Sequence, residues 1–401
     1  MMKFDQAYFD AGLYRMGTRC EKWDEARREH GDELLPLWVA DMDFPSPPAV
    51  QEAILRRAAH PTYGYTAELA DDHQALIDFW QRRHGLTIPA DSLTLLPCVV
   101  TGLKLAILAL TQPGDKVIIM SPVYGPFRMS VEQTGRTLAD APMLRDAQGR
   151  YSMDLAAVEE HLRDGAKLLM LCNPHNPASR VWSKDELSAL IDLMDKYGAY
   201  LVSDEIHADF VYAPNTFVPA LSIRQERVLS LCAASKTFNL AGLQQACCIC
   251  MDEDVRHALR AQMDRAGVRS GNIFALEATR AAYSEGDDWL DGLLDYLDGN
   301  RQHLQKLVAE YLPQAVLTPL EATYLGWIDL RAYGFHEDEL MRRTIAAGVQ
   351  FTGGRFFGEQ GDGFLRINIG CPRRNITEGI HRLAMALRDE PGSTNAPALE
   401  V

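Results

Sequence analysis

Short apolar runs punctuate the middle of the chain: Lys116 to Met120, Lys167 to Cys172, Ala199 to Ser203, Val228 to Cys232 and Ala246 to Met251. Each is too short to be a helix and is bounded by polar or turn residues. Each therefore reads as a strand buried on both faces. Between them the spacing turns helical over Asp154 to Arg163 and Ser183 to Tyr197, the latter opened by a Ser183–Glu186 capping box. This alternation, from about residue 98 to 250, predicts a mostly parallel sheet with helices on both faces, an α/β fold. Longer helical patterns follow over about Gly271 to Ser284 and Trp289 to Tyr311, and a further αβ stretch begins near Leu317. A length of 401 residues suggests two unequal domains, with the change near residue 290. Asp389 to Val401 is polar with two prolines and reads as a mobile tail.

Composition narrows the class. Apolar residues make up 47% of the chain, as in a packed globular protein. The formal charge of −15 argues against binding nucleic acid or a membrane surface. No apolar stretch approaches the ~18 residues of a membrane span, and Met1 to Asp5 opens no signal-like apolar region. Cys247, Cys248 and Cys250 share one strand-like run with no second cluster at zinc spacing, so they read as reduced core residues and no metal is expected. These features make the cytoplasm the expected compartment.

Three of the strands deliver polar residues at their C-terminal ends. Leu168 to Cys172 runs into Asn173-Pro174-His175-Asn176-Pro177, Tyr200 to Ser203 into Asp204-Glu205-Ile206-His207, and Val228 to Cys232 into Ala233-Ala234-Ser235-Lys236. Ligands of open α/β sheets bind in the crevice outside such ends. A lysine at the mouth of a buried strand loses hydration if charged, which favours a neutral amine or an imine. Pyridoxal 5′-phosphate needs such a set: a lysine for its aldehyde, an acid for its ring nitrogen and a donor for its ring oxygen. From this segment alone, Lys236 also reads as a solvated residue at a strand end.

The order of motifs extends the reading. They are Lys22-Trp23-Asp24, Leu35 to Phe44, Tyr63 to Thr66, Pro122-Val123-Tyr124, Asn173 to Pro177, Ser203 to His207, Ser235 to Leu243 and Phe364 to Arg373. Together they resemble the fold-type I pyridoxal-phosphate enzymes of aminotransferase class I/II, and within them the MalY/PatB group of cystathionine β-lyases. The resemblance implies a large domain over 46–289 with a mostly parallel seven-stranded sheet. It implies a smaller α+β domain built from 1–45 together with 290–401. It also implies a carbon–sulfur β-lyase that acts on a sulfur-containing amino acid, with Lys236 as Schiff base and proton-transfer base. An aminotransferase is the alternative enzyme, and a regulatory binding protein of the MalY type the alternative from another class.

The resemblance also assigns the site. Lys236, Asp204 and Tyr124 are its catalytic residues, with Tyr124 stacking on the cofactor ring. Asn176 would bond the ring hydroxyl and Ser235 the phosphate. Gly102, Leu103 and Lys104 would offer amides to the phosphate from the start of an apolar helix over Leu105 to Leu110. Gln244 stands where many aminotransferases carry a phosphate arginine, so Tyr65 of a neighbouring subunit would supply a contact in a homodimer. His207 stands where ordinary aminotransferases carry a tyrosine and reads equally as a cofactor contact or as a core histidine donating to a carbonyl. Arg366, in an apolar strand, needs an anion. The resemblance gives it the substrate α-carboxylate, with help from Val39 and Ala40; an internal salt bridge is its other reading. Ala178-Ser179 follow Pro177 where the family usually has a residue and a glycine.

Overall fold

The computed structural model describes residues 4–269 and 271–388. The tail expected from Asp389 lies outside the described residues.

Seven strands form the main sheet: β1 (Leu93–Leu96), β2 (Lys116–Ile119), β3 (Thr137–Asp140), β4 (Leu168–Cys172), β5 (Tyr200–Asp204), β6 (Val228–Cys232) and β7 (Ala246–Ile249). Their order is β1-β7-β6-β5-β4-β2-β3, with β7 antiparallel to both neighbours and the other pairs parallel. The expected α/β sheet is therefore present, and the strand runs hold to within two residues at each end. In β4, Leu169 and Leu171 join one apolar cluster while Leu168, Met170 and Cys172 join another on the opposite face. That two-sided burial is why these strands read as unbroken apolar runs. The cysteines in and just after β7 follow the same alternation: Cys247 faces one cluster, and Cys248 with Cys250 the other.

A second, antiparallel sheet follows: β8 (Val316–Leu317), β9 (Leu325–Asp329), β10 (Thr352–Gly353) and β11 (Phe364–Asn368), ordered β8-β9-β11-β10. A 25-residue helix, Asp287–Tyr311, leads into it. The N-terminal segment packs here too, since Leu35–Pro36 pairs in parallel with Val349–Gln350. The Ser183–Glu186 capping box is formed, at 2.8 and 3.2 Å. No helix among the described residues is long and apolar enough to cross a membrane.

Candidate active site

The register of the parallel strands builds the site. Cys172 of β4 lies beside Asp204 of β5, and β5 lies beside β6. The turns carrying Asn176, Asp204 with His207, and Lys236 therefore leave the sheet side by side. Lys236 occupies the third position of a four-residue helix, Ala234–Thr237, directly beyond β6. Its amine donates to the Ala40 carbonyl at 2.6 Å, and burial pulls its pKa down to about 8. The Asp204 carboxyl is buried with the Ile206 amide as its hydrogen-bond donor, at 3.1 Å. Burial lifts its pKa to about 7.

Arg366, on β11, closes the other side. Only 3% of it is exposed, and burial lowers its pKa to about 10. It donates to Asn176 Oδ1 at 3.2 Å, to the Trp38 carbonyl at 2.8 Å and to Thr352 Oγ1 at 3.2 Å, while its Nε has no partner among the described residues. Among the described residues it forms no ion pair, so the internal salt bridge is not the reason for a guanidinium here. A buried cation held by neutral groups alone is poised for an anion that comes from outside. Because Asn176 Oδ1 accepts from Arg366, its amide nitrogen is left to donate into the crevice. The Tyr124 backbone amide donates to the Asn176 carbonyl at 3.2 Å, which sets Tyr124 beside this turn. Burial raises the Tyr124 pKa and keeps the phenol protonated.

His207 is buried, and its pKa falls to about 3 for that reason. Among the described residues its Nδ1 has no hydrogen-bond partner.

Trp38 to Phe44 is the strip around which these groups converge. Asn368 Nδ2 donates to the Val39 and Asp41 carbonyls at 2.5 and 2.6 Å. Asn239 donates to the Met42 and Phe44 carbonyls and accepts from the Met42 amide. Tyr324, wholly buried, donates to the Ala40 carbonyl at 3.0 Å. With that carbonyl taken twice, contact between Ala40 and a carboxylate is left to its N–H. The strip is anchored below by Asp43, which accepts from Lys22 at 2.9 Å, Trp23 at 2.8 Å and Arg15 at 3.0 Å. Lys22 is fully buried, and losing one member of such a pair typically costs about 3–5 kcal/mol. Tyr324, Asn239, Asn368, Lys22 and Asp43 are site supports that sequence reasoning left without a role.

The amide assignment at residues 102–104 needs correction. The helix begins at Val99, with Cys98 as its N-cap, so Gly102 lies in its second turn. The Gly102 amide donates to the Cys98 carbonyl at 3.1 Å, and Leu103 and Lys104 lie deeper in the helix. None of the three offers a free amide. First-turn amides lack intrahelical acceptors; here the Thr101 amide donates to Cys98 Sγ at 3.5 Å, which leaves those of Val99 and Val100, just beyond the C-terminal end of β1. Strand β1 was not recognised in the sequence, which shifted the helix start. Gly102 serves packing instead: a Cβ would lie 2.8 Å from Leu231 Cδ2 and 2.9 Å from Leu96 Cδ1. Gly102→Ala is expected to lower the melting temperature. Overpacking at about 1–3 kcal/mol outweighs the roughly 1 kcal/mol alanine gains in a helix. An unchanged melting temperature would count against close packing as the reason for glycine.

Ser235 adjoins Lys236 and is partly exposed. Tyr65 does not join its own chain's cluster: it is 112% exposed, in a stretch without regular structure. Ser179 takes the left-handed conformation (φ +52°), and its hydroxyl donates to the Leu325 carbonyl at 2.7 Å. That backbone explains why a glycine usually stands there. Among the described residues no group of three or more His, Cys, Asp or Glu side chains could hold a metal ion.

The family model for aminotransferase class I and II matches residues 32–383. The cystathionine β-lyase PatB of Bacillus subtilis (strain 168) is 38% identical over 385 residues, spanning 94% of this chain and 99% of PatB. Protein MalY of Escherichia coli (strain K12) is 32% identical, over 95% of this chain and 98% of its own. The structure of cystalysin from Treponema denticola, which contains a pyridoxal 5′-phosphate cofactor, superposes with a TM-score of 0.91. It is 31% identical and covers 96% of this chain and 99% of its own. On sequence and on fold, the chain belongs to the aminotransferase class I and II family, in the MalY/PatB group of cystathionine β-lyases.

Proposed function

We propose that the protein is a pyridoxal-phosphate-dependent carbon–sulfur β-lyase that splits cystathionine or a related cysteine thioether into a thiol, pyruvate and ammonia. The observation that carries this reading is Arg366, a buried cation without an anion, facing the same crevice as Lys236 and Asp204.

The residues suit the cofactor. Among the described residues Asp204 is a buried carboxyl in no ion pair, and a protonated ring nitrogen would supply a cationic partner. His207 Nδ1 and the Asn176 amide are open to polar atoms of a ring. The Val99 and Val100 amides, with the dipole of their helix, suit a phosphate, as does the Ser235 hydroxyl. Pyridoxal phosphate supplies an electron sink that stabilises negative charge at the substrate Cα.

The chain's own groups do the rest. Arg366 pairs with the α-carboxylate and fixes the substrate's orientation. Lys236, with a pKa near 8, has an appreciable neutral fraction at neutral pH, so its Nζ can take the Cα proton. Asp204 would face the ring nitrogen of the bound cofactor, where its carboxylate would favour the protonated form. Tyr124 would stack on the ring. With a thiolate leaving from Cβ, cystathionine and water give homocysteine, pyruvate and ammonia. Without a leaving group, the same residues would support transamination.

The reading is tested by incubating the protein with cystathionine, with and without a 2-keto acid. Homocysteine and pyruvate without the keto acid are expected. Product only in its presence would make the protein an aminotransferase.

We further infer a homodimer in which Tyr65 reaches the neighbour's phosphate, supported by its full exposure and by Gln244 in place of a phosphate arginine. Tyr65→Phe is expected to weaken cofactor retention by about 1.5–3 kcal/mol. An active monomer in light scattering would exclude this arrangement. We divide the chain into a cofactor-binding domain over 46–289 and a second domain from 1–45 with 290–401, a division supported by the pairing of Leu35–Pro36 with Val349–Gln350. Eight unbridged cysteines support a cytoplasmic location.

A further inference from the structure

The helix that carries Lys236 has four residues, Ala234–Thr237, too few to be stable alone. Successive helix positions diverge by about 100°. While Lys236 faces the crevice, Thr237 faces the interior, where it is buried. Its hydroxyl donates to Asp209 Oδ2 at 2.6 Å, and Asp209 Oδ1 lies 2.9 Å from His84 Nε2. His84 and the central Asp209 are nearly buried, with side-chain exposures of 6% and 8%. The His84 ring packs against Trp80 at 4.8 Å and Phe217 at 5.1 Å.

Asp209 belongs to the segment that also bears Asp204 and His207. That segment is folded tightly, with Ala208 N–H donating to the Glu205 carbonyl and Phe210 N–H to the His207 carbonyl. One carboxylate thus ties the Lys236 turn to the segment holding the acid and the imidazole of the site. Burying an aspartate and a histidine costs more than burying apolar residues of the same size. The return on that cost is direction: a hydrogen bond fixes an angle, which apolar packing does not.

We propose that His84–Asp209–Thr237 is a positioning device that sets the Lys236 amine against Asp204. The three do not touch substrate or cofactor and act through Lys236. The proposal rests on the role given to Lys236 above.

The test compares Thr237→Val, which keeps the shape and removes the donor, with Thr237→Ser, which restores it. Pyridoxal phosphate is added to cofactor-free protein, and the fraction trapped on Lys236 by borohydride is followed over time. Steady-state kinetics and melting temperature are measured alongside. Thr237→Val is expected to slow attachment and kcat by about 10- to 100-fold, as small misplacements of reacting groups do. KM should change little, and Thr237→Ser should recover most of both rates. Wild-type attachment and kcat in Thr237→Val would overturn the proposal, whatever the melting temperature. If Thr237→Val does not fold, Asp209→Ala, which removes the acceptor, is measured in the same way, and wild-type rates there would overturn it equally. In the wild-type control, a label on another lysine would overturn the role of Lys236 and this device with it, whereas a label on Lys236 with unchanged variant rates would overturn the device alone.

Discussion

Lys236→Ala is expected to abolish turnover of cystathionine while leaving the fold intact. Lys236 is the only group proposed both to hold the cofactor and to move the Cα proton. Loss of a positioned acid–base group costs about 10²–10⁴-fold by itself, and loss of covalent attachment adds to that. Among the described residues its side chain makes one hydrogen bond, to the Ala40 carbonyl, and Tyr324 still holds that carbonyl in the variant. The melting temperature of the cofactor-free protein should therefore change little. Activity within tenfold of wild type would show that another group does the work.

Arg366→Ala is expected to have the next largest effect. Truncating one partner of a buried charge pair costs about 2–5 kcal/mol, or roughly 30- to 5000-fold in kcat/KM. The loss should appear with amino-acid substrates and much less with an amine lacking the α-carboxylate. Cofactor absorbance should be nearly unchanged, since Arg366 is proposed to meet substrate alone. Equal discrimination against that amine by wild type and variant would remove Arg366 from carboxylate binding. Part of any stability change would reflect the Trp38 carbonyl and Asn176, which lose their donor.

The strand runs were legible because strands buried on both faces leave continuous apolar stretches. From them follows the line of turns that carries Asn176, Asp204 and Lys236. What failed was local. Leu93–Leu96 is a four-residue strand next to Pro97, too brief to stand out, and missing it moved a helix start by several residues. Gly102 then looked like part of a phosphate loop when its reason is contact with Leu96 and Leu231. The Lys22–Asp43 pair and the clasp of Asn239 and Asn368 on the Trp38–Phe44 strip were illegible for a different cause. They join residues far apart in the chain, and no periodicity encodes such contacts. Arg366 lies between these cases. Its strand was readable and its need for an anion followed from burial, but the absence of an internal carboxylate required the fold.

The most direct measurement is the position of the cofactor itself. Purified protein reconstituted with pyridoxal phosphate is reduced with borohydride, digested and mapped by mass spectrometry. The expected result is stoichiometric label on the peptide containing Lys236, with loss of visible absorbance and of activity. Label spread over surface lysines, or concentrated on any lysine other than Lys236, would contradict the assignment of this crevice as the active site.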